Sequence, residues 1–359
     1  MSACGESDVI VIEAGLEYAV ALEPDPDIVV IAAGEQGPPG PRGAAGGGGA
    51  VGPVFAKEDR LSPAWATAGD GLVVAQAISV SVGSAVHHFA AGTEIEVVAR
   101  ALGYDTGIYA TEDGRLIADT RNWDAPPGEP AGTTRRVGGC HMSLSGEISP
   151  YSLWDLNYRP SCSDPRGMVC INGMFWADIY LLGLDHYVNG TSRARVTIAH
   201  GENRPKIPDI FGGDGTAVYY GLTWFAATDI LQSHGKRMPT WAEFRLLAFG
   251  VEDETSAGTG PETTQYDALR RSRWGVEQAT GNLPVWSADL SPDTSTATAW
   301  QNTTGGRGQI YAPSIKAAML GGTWAGGVQA GSSALHWNHQ VHTDGRWIGA
   351  RGVCDHLIL

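Results

Sequence analysis

The sequence predicts a β-rich α+β fold, in which an antiparallel β region precedes a mixed α/β region. Two observations lead to this prediction. Short alternating apolar runs separated by turn residues fill residues 54–145, and two helices with clear start and stop signals follow in residues 224–250. Composition agrees, because 49 glycines and a charged fraction of only 18% are more typical of strands and loops than of helix bundles.

The first segment, residues 1–33, contains three short apolar runs separated by acidic and Pro-containing turns. Three short strands cannot bury a core alone. We therefore expect an N-terminal β segment that serves trimerisation or attachment by associating with copies of itself.

Residues 34–53 keep a strict register of seven Gly-X-Y triplets, with Pro38, Pro39 and Pro41 at X and Y sites. Only Gly fits at the crowded axis where three polyproline-like strands wind together, so this spacing predicts a collagen-like connector and a homotrimer. A flexible Gly/Pro linker is the alternative, because it tolerates the same composition.

Residues 54–147 are predicted to form an antiparallel, β-sandwich-like domain. Its alternating runs are residues 71–81, 93–101, 107–111 and 115–118. An Asp113-Gly114 turn separates the last two runs, as in a β-hairpin.

Residues 148–359 form the last predicted domain. Apolar spacing predicts a helix over residues 224–233 that stops at Gly235. Thr240 and Glu243 then form a capping box for a second helix over residues 241–249, which Gly250 ends.

Charge and termini limit the classes of partner. The chain carries 39 acidic and 24 basic residues, for a net charge of −15, which repels phosphate backbones and anionic lipid. The N-terminus lacks the basic and apolar stretches of a signal peptide, and no long apolar span follows. We expect neither a nucleic-acid partner nor membrane insertion.

The five cysteines are too few and too scattered for a disulfide scaffold. Synthesis in a reducing cytoplasm is the simpler interpretation, and a Cys162–Cys170 bridge remains an alternative.

Residues 321–357 combine two patterns. Trp324, Trp337 and residues 349–354 look like rigid framework, whereas every second position over residues 323–329, and again around residues 336–348, follows no hydrophobic rule. Side chains alternate between faces in a strand, so this pattern predicts that one face packs and the other is exposed. An exposed face rich in His, Asn, Gln, Thr and Trp indicates a recognition surface.

Several motifs carry a resemblance to a known fold. Residues 235–244, Val285-Trp286, residues 321–324 and residues 349–354 resemble, in this order, the C-type lectin-like fold shared by formylglycine-generating enzymes and the variable proteins of diversity-generating retroelements. Residues 151–155, 164–168, 175–183, 211–215 and 349–359 are more similar still to the major tropism determinants of Bordetella phage. This likeness extends from about residue 54 to the C-terminus and includes residues 136–139. The collagen-like segment and residues 253–266 depart from it.

The resemblance implies a trimeric receptor-binding protein at the tip of phage tail fibres, made in the host cytoplasm and assembled with other tail-fibre proteins. It also implies a host surface receptor, protein or glycan, and residues diversified by adenine replacement in the gene. Aligned through Trp324, Trp337 and Arg351, the diversified positions fall on Thr323, Ala325, Gly327, Gln329, His336, Asn338, His339, Thr343, Gly345, Trp347 and Ile348. Aromatic and apolar groups dominate binding energy at such surfaces, so Trp347, Ile348 and His336 are the expected anchors.

Two other functions remain open. A formylglycine-generating oxidase of the same fold uses a pair of cysteines near the chain end, and Cys354 occupies one of those places. No cysteine lies between Cys170 and Cys354, so we expect no paired thiol, no catalytic residue and no enzyme. A cellular surface protein of the same diversified kind is the other alternative.

Neither a cofactor nor a metal is expected. His336, His339 and His342 are spaced three apart, and at that spacing side chains of a strand do not share a face.

Overall fold

The computed structural model describes residues 54–130, 132–303 and 307–357. The predicted N-terminal β segment (1–33) and collagen-like connector (34–53) lie outside the described residues. Residues from 54 onward belong to one compact unit. As the sequence predicts, its architecture is rich in β-strands, with few helices.

Ten strands occupy residues 54–155. They are β1 (Phe55–Lys57), β2 (Trp65–Ala68), β3 (Gly71–Val74), β4 (Ile78–Val82), β5 (Ala85–Phe89), β6 (Glu94–Val97), β7 (Asp105–Thr111), β8 (Leu116–Asp119), β9 (Thr134–His141) and β10 (Trp154–Asp155).

Eight strands and three α-helices follow. The strands are β11 (Met168–Ile171), β12 (Phe175–Asp178), β13 (Val285–Pro292), β14 (Ala299–Asn302), β15 (Gln309–Ala312), β16 (Ile315–Leu320), β17 (Leu335–Gln340) and β18 (Val353–Asp355). The helices are α1 (His186–Asn189), α2 (Trp224–Ser233) and α3 (Trp241–Leu247). Short 3-10 helices occupy Pro150–Ser152, Asp209–Phe211 and Gly327–Gln329. Within the described ranges, no helix has the length and apolar character needed to cross a membrane.

The first strands form two sheets around one apolar core. A seven-stranded sheet has the order β10-β9-β7-β8-β6-β3-β2, and a three-stranded sheet has the order β1-β4-β5. All pairs are antiparallel except β6 with β8, which run parallel. Gly114, in the predicted turn between β7 and β8, has a φ of 83°, a conformation that Gly adopts without strain.

The sheet boundary differs slightly from the predicted domain boundary. β10 lies beyond residue 147, yet Trp154 pairs with Gly139 of β9. The first large sheet thus extends beyond residue 147, and the domain boundary between residues 147 and 148 stays a prediction.

Helix signals located α2 and α3 well. α2 occupies the predicted residues, and the Thr223 side chain accepts a hydrogen bond from the backbone N–H of Ala226. The capping box at α3 is present, with Thr240 and Glu243 bonded reciprocally. α3 ends at Leu247, two residues before the predicted end.

Three small sheets complete the second part, with the orders β11-β12-β18, β13-β16-β17 and β14-β15. Phe244 and Leu247 of α3, with Val285 of β13 and Leu320 of β16, share a core with β11 and β12. Trp324 and Trp337 are partly buried and pack against this core, in agreement with their predicted framework role.

The fully buried Arg351 fastens the C-terminal segment to this core. Its Nη1 donates to the carbonyls of Asp178 (2.8 Å) and Ile179 (2.7 Å), and its Nη2 donates to those of Glu277 (2.7 Å) and Gln278 (3.4 Å). Burial lowers the pKa of Arg351 to about 10. These acceptors and the nearby carboxylates of Asp178 and Glu277 offset the desolvation of this charge.

We predict that Arg351→Ala destabilises the chain by about 3–5 kcal/mol, because four buried carbonyls lose their donor and a cavity is left. Urea unfolding at neutral pH measures the change. Arg346→Ala is the matched control: Arg346 is exposed, so its loss should shift stability by no more than about 0.5 kcal/mol. Equal stability of the two variants would contradict the role assigned to Arg351.

Candidate functional site

The predicted site residues come from three neighbouring segments: the loop after β16, strand β17, and the turn that follows β17. β17 pairs with β16, and Gly321 N–H donates to the carbonyl of Ala334 across the base of the loop. The two elements therefore hold both ends of the loop.

These segments surround an open concavity of about 520 Å³. Six of the predicted residues line it: Thr323, Gln329, His336, Asn338, His339 and Trp347. Gly322, Gly326, Ala334 and Leu335 complete the lining. Sequence reasoning missed these four, because small or apolar residues beside a framework Trp carry no signal for a surface site.

The predicted alternation does not hold over residues 323–329. These residues form turns and the 3-10 helix Gly327–Gln329 rather than a strand. The loop is held from outside instead. Ser256 Oγ accepts from Gly327 N–H (3.0 Å), and the Asp253 carboxylate accepts from Ser332 N–H (2.6 Å). Ala325 and Gln329 are nevertheless exposed. Their exposure results from the geometry of the loop and not from the alternating faces of a strand, as the sequence pattern had suggested.

The prediction that histidines three apart cannot share a face is wrong for His336 and His339. Met319 pairs with His336 and Ala317 pairs with His339, so β17 has one residue more than β16 between these two pairs. This irregularity turns the rings to one side, with centroids 5.4 Å apart. His339 also packs against Trp347 at 4.6 Å.

Burial keeps this part of the site uncharged near neutral pH. Desolvation lowers the pKa of His336, with a smaller effect from His339, and desolvation alone lowers the pKa of His339. Among the residues that the structure describes, no group of three or more His, Cys, Asp or Glu side chains is placed to hold a metal ion. The two neutral rings therefore offer nitrogen hydrogen-bonding groups and aromatic surface.

Ile348 does not belong to the exposed face, although the sequence analysis placed it there. Its side chain is 0% exposed and packs in the core with Trp286, Val341 and Ala350. The expectation of an exposed Ile348, and of an anchor there, is wrong because the framework segment begins one residue earlier than the pattern suggested. Trp347, its neighbour, is partly exposed.

Two glycines of the set are restricted by the backbone. Gly327 has a φ of 51°, a conformation that other residues rarely adopt, although the space around it is open. A Cβ on Gly345 would lie 2.6 Å from Nε1 of Trp347. Thr343, between Trp347 and β17, is half-buried in the turn.

The cysteines also differ from expectation. The buried side chains of Cys162 and Cys354 belong to one cluster, and each thiol affects the pKa of the other, so a second thiol lies near Cys354 although none is close to it in sequence. Cys162 and Cys170 are both free thiols, which excludes the bridge considered between them in this structure. The partner of Cys354 was missed because it is distant in sequence.

Three comparisons with known proteins agree with this architecture. Residues 63–155 match the family model described as Mtd second domain. The chain is 39% identical over 327 residues to the tail fiber receptor-binding protein of Bordetella phage BPP-1, covering 85% of each protein. The chain belongs to the major tropism determinant family.

Solved structures of major tropism determinants have the same fold as this chain. The U1 and M1 variants each match with a TM-score of 0.81 and 39% identity, over 85% of this chain and 86% of theirs. The similarity therefore covers most of this chain and most of each solved structure.

Proposed function

We propose that this protein is a phage tail-fibre receptor-binding protein that contacts a host surface receptor through the face around the concavity. The observation that carries the proposal is the 39% identity, over most of both chains, to a protein named for receptor binding. The ten accessible members of the predicted set supply the face: Thr323, Ala325, Gly327, Gln329, His336, Asn338, His339, Thr343, Gly345 and Trp347.

The physical separation of face and framework supports this function. Substitution of an exposed side chain usually changes stability by only about 0.5 kcal/mol in either direction. The face lies beside Trp324 and Trp337, which pack on the core, and is followed by Arg351, which is fully buried. Binding residues can therefore be replaced while the fold persists.

Affinity at such a face comes from a few central groups. Trp347 packs against His339 in a tilted arrangement, and His336 lies next to His339. These three rings form the aromatic part of the concavity. No Lys, Arg, Asp or Glu is among the residues that line the concavity. This composition favours an uncharged portion of the receptor at its centre, whether polypeptide or glycan.

The finer architecture is part of the proposal. We assign residues 148–359 to the C-type lectin-like fold that also occurs in formylglycine-generating enzymes, with residues 54–147 as a separate antiparallel domain. The major tropism determinant matches support this assignment. An oxidase is less well supported, because Cys162 and Cys354 are 2% and 3% exposed, which leaves a substrate cysteine no access to them.

The proposed assembly into a homotrimer rests on the Gly-X-Y register of residues 34–53. A homotrimer would place three faces at the fibre tip, and avidity would then raise apparent binding by roughly 10²–10⁴ on a multivalent receptor. Weak single sites would suffice for attachment.

Trp347→Ala should weaken binding to cells of the bacterium on which the phage grows by about tenfold or more, because it removes the largest side chain of the concavity. Binding of fluorescently labelled protein to those cells gives the affinity. Trp300→Ala is the matched control, since Trp300 is 65% exposed on β14, outside the concavity. Equal losses in both variants, at unchanged melting temperature, would rule out this face as the receptor-binding surface.

Gene sequences from sister phage isolates should differ mainly at the ten accessible positions. Trp324, Trp337 and Arg351 should remain constant, because each packs in the framework. Ile348 should vary little, since its side chain is in the core. Sequencing of isolates passaged on different hosts measures the distribution, and substitutions scattered evenly along the chain would refute diversification of this face.

Light scattering of the full-length protein should give the mass of about three chains per particle. A deletion of residues 34–53 is the informative variant, because it removes the Gly-X-Y register while leaving the described residues intact. A monomer at micromolar concentration would contradict the trimer.

A further inference from the structure

The buried thiols of Cys162 and Cys354 share one cluster, and they lie on segments that run antiparallel next to each other. Pro160 forms an antiparallel bridge with His356, and Ser161 N–H donates to the carbonyl of Asp355 (2.9 Å). A continuation of this register by two residues would bring Cys162 opposite Cys354, and both side chains belong to the same buried cluster. On the other edge of β18, Cys354 pairs with Trp176 of β12, so its backbone groups point away from Cys162.

This register suits a covalent bond between the two sulfurs. Pro160 and His356 form a non-hydrogen-bonded pair, because the flanking bonds are Ser161 to Asp355 and Leu357 to Arg159. Continued by two residues, this register would give Cys162 and Cys354 the same kind of position, where Cα atoms are typically about 4.5 Å apart. Disulfides span Cα separations of roughly 4.4–6.8 Å, so the backbone needs little movement.

The surroundings favour a reactive thiolate on Cys354. The buried ammonium of Lys236, bonded to the Asp178 carboxylate (2.6 Å) and Thr191 (2.8 Å), acts on both thiols. The interaction with Cys162 and this positive charge both lower the pKa of Cys354. This lowering favours the thiolate, which is the form that reacts with oxidants.

We propose that Cys162 and Cys354 form a disulfide when the reduced chain meets a small peroxide oxidant. The Cys354 thiolate attacks one peroxide oxygen, the O–O bond breaks, and the departing hydroxide takes up the proton that the thiol had released, which gives a sulfenic acid and water. The sulfur of Cys162 then attacks that of Cys354, the S–O bond breaks, and the proton of Cys162 leaves with the hydroxide as a second water. Two thiols and one hydrogen peroxide thus give one disulfide and two waters. A small oxidant is required because both sulfurs are buried.

This cross-link would enclose the whole candidate site. Residues 162–354 contain the loop after β16, β17 and Arg351. The closed loop would be about 190 residues long, and long loops gain the most from a cross-link because the unfolded chain loses more freedom. The expected consequence is a receptor-binding region that resists unfolding in oxidising surroundings.

Mass spectrometry of the full-length protein tests the proposal. After treatment with hydrogen peroxide and blocking of free thiols, a digest without reductant should contain one peptide pair joined through Cys162 and Cys354, about 2 Da lighter than the reduced pair. The melting temperature should rise by roughly 5–10 °C and return after dithiothreitol.

Cys354→Ser should abolish both the joined peptides and the temperature shift. Cys170→Ser is the matched control, since Cys170 is a buried free thiol that accepts from the Tyr158 hydroxyl (3.3 Å), and it should retain both effects. The wild-type digest decides the question even where Cys354→Ser does not fold. Free Cys162 and Cys354 after oxidation, a bond from either to another cysteine, or a sulfinic acid at Cys354 without a bond would each overturn the proposal.

Discussion

The hydrogen bonds made by the buried guanidinium of Arg351 are the interaction on which the C-terminal half of the molecule depends. It is fully buried, and all four of its acceptors are backbone carbonyls, from residues 178–179 and residues 277–278. Asp178 in turn accepts from Lys236 and from the backbone N–H of Gly352. Because the acceptors are main-chain atoms, this attachment does not depend on which side chains occupy the exposed face. The segment that ends the candidate site is therefore fixed independently of the residues presented there.

The boundary between face and framework is sharp. Trp347 lies against His339 at the concavity, whereas Ile348, the next residue, is fully buried beside Trp286. The loop after β16 is held mainly through its backbone, by Ser256, Asp253 and the N–H of Gly258. Bonds of this kind leave the loop side chains uncommitted. A change of side chain on the face consequently alters what can be bound more than it alters the fold.

Elements that depend on residues adjacent in sequence were predicted well. The predictions that were wrong concern features that depend on contacts between distant parts of the chain. The capping box at Thr240 and the turn at Gly114 depend on residues adjacent in sequence, and both were located from sequence alone. The irregular pairing of β17 with β16 depends on the partner strand, so the shared face of His336 and His339 could not be read from their spacing. The same limit hid the proximity of Cys162 to Cys354, which depends on two segments far apart in the chain. Residues 323–329 alternate in sequence like a strand, yet they form turns closed by their own backbone hydrogen bonds, and bonds with residues 256–258 hold these turns in place.

Backbone geometry sets a limit on how variable the face can be. The positive φ of Gly327 disfavours β-branched and bulky side chains, but Asn and Asp adopt this region more readily than other residues. At Gly345 the obstacle is the Trp347 ring rather than the main chain, so a side chain there requires the ring to move. The two positions therefore limit variation in different ways. The backbone conformation at Gly327 restricts which residue types fit there, whereas a side chain at position 345 would change the position of the Trp347 ring. Variation at Gly345 changes the shape of the concavity even when Trp347 itself is unchanged.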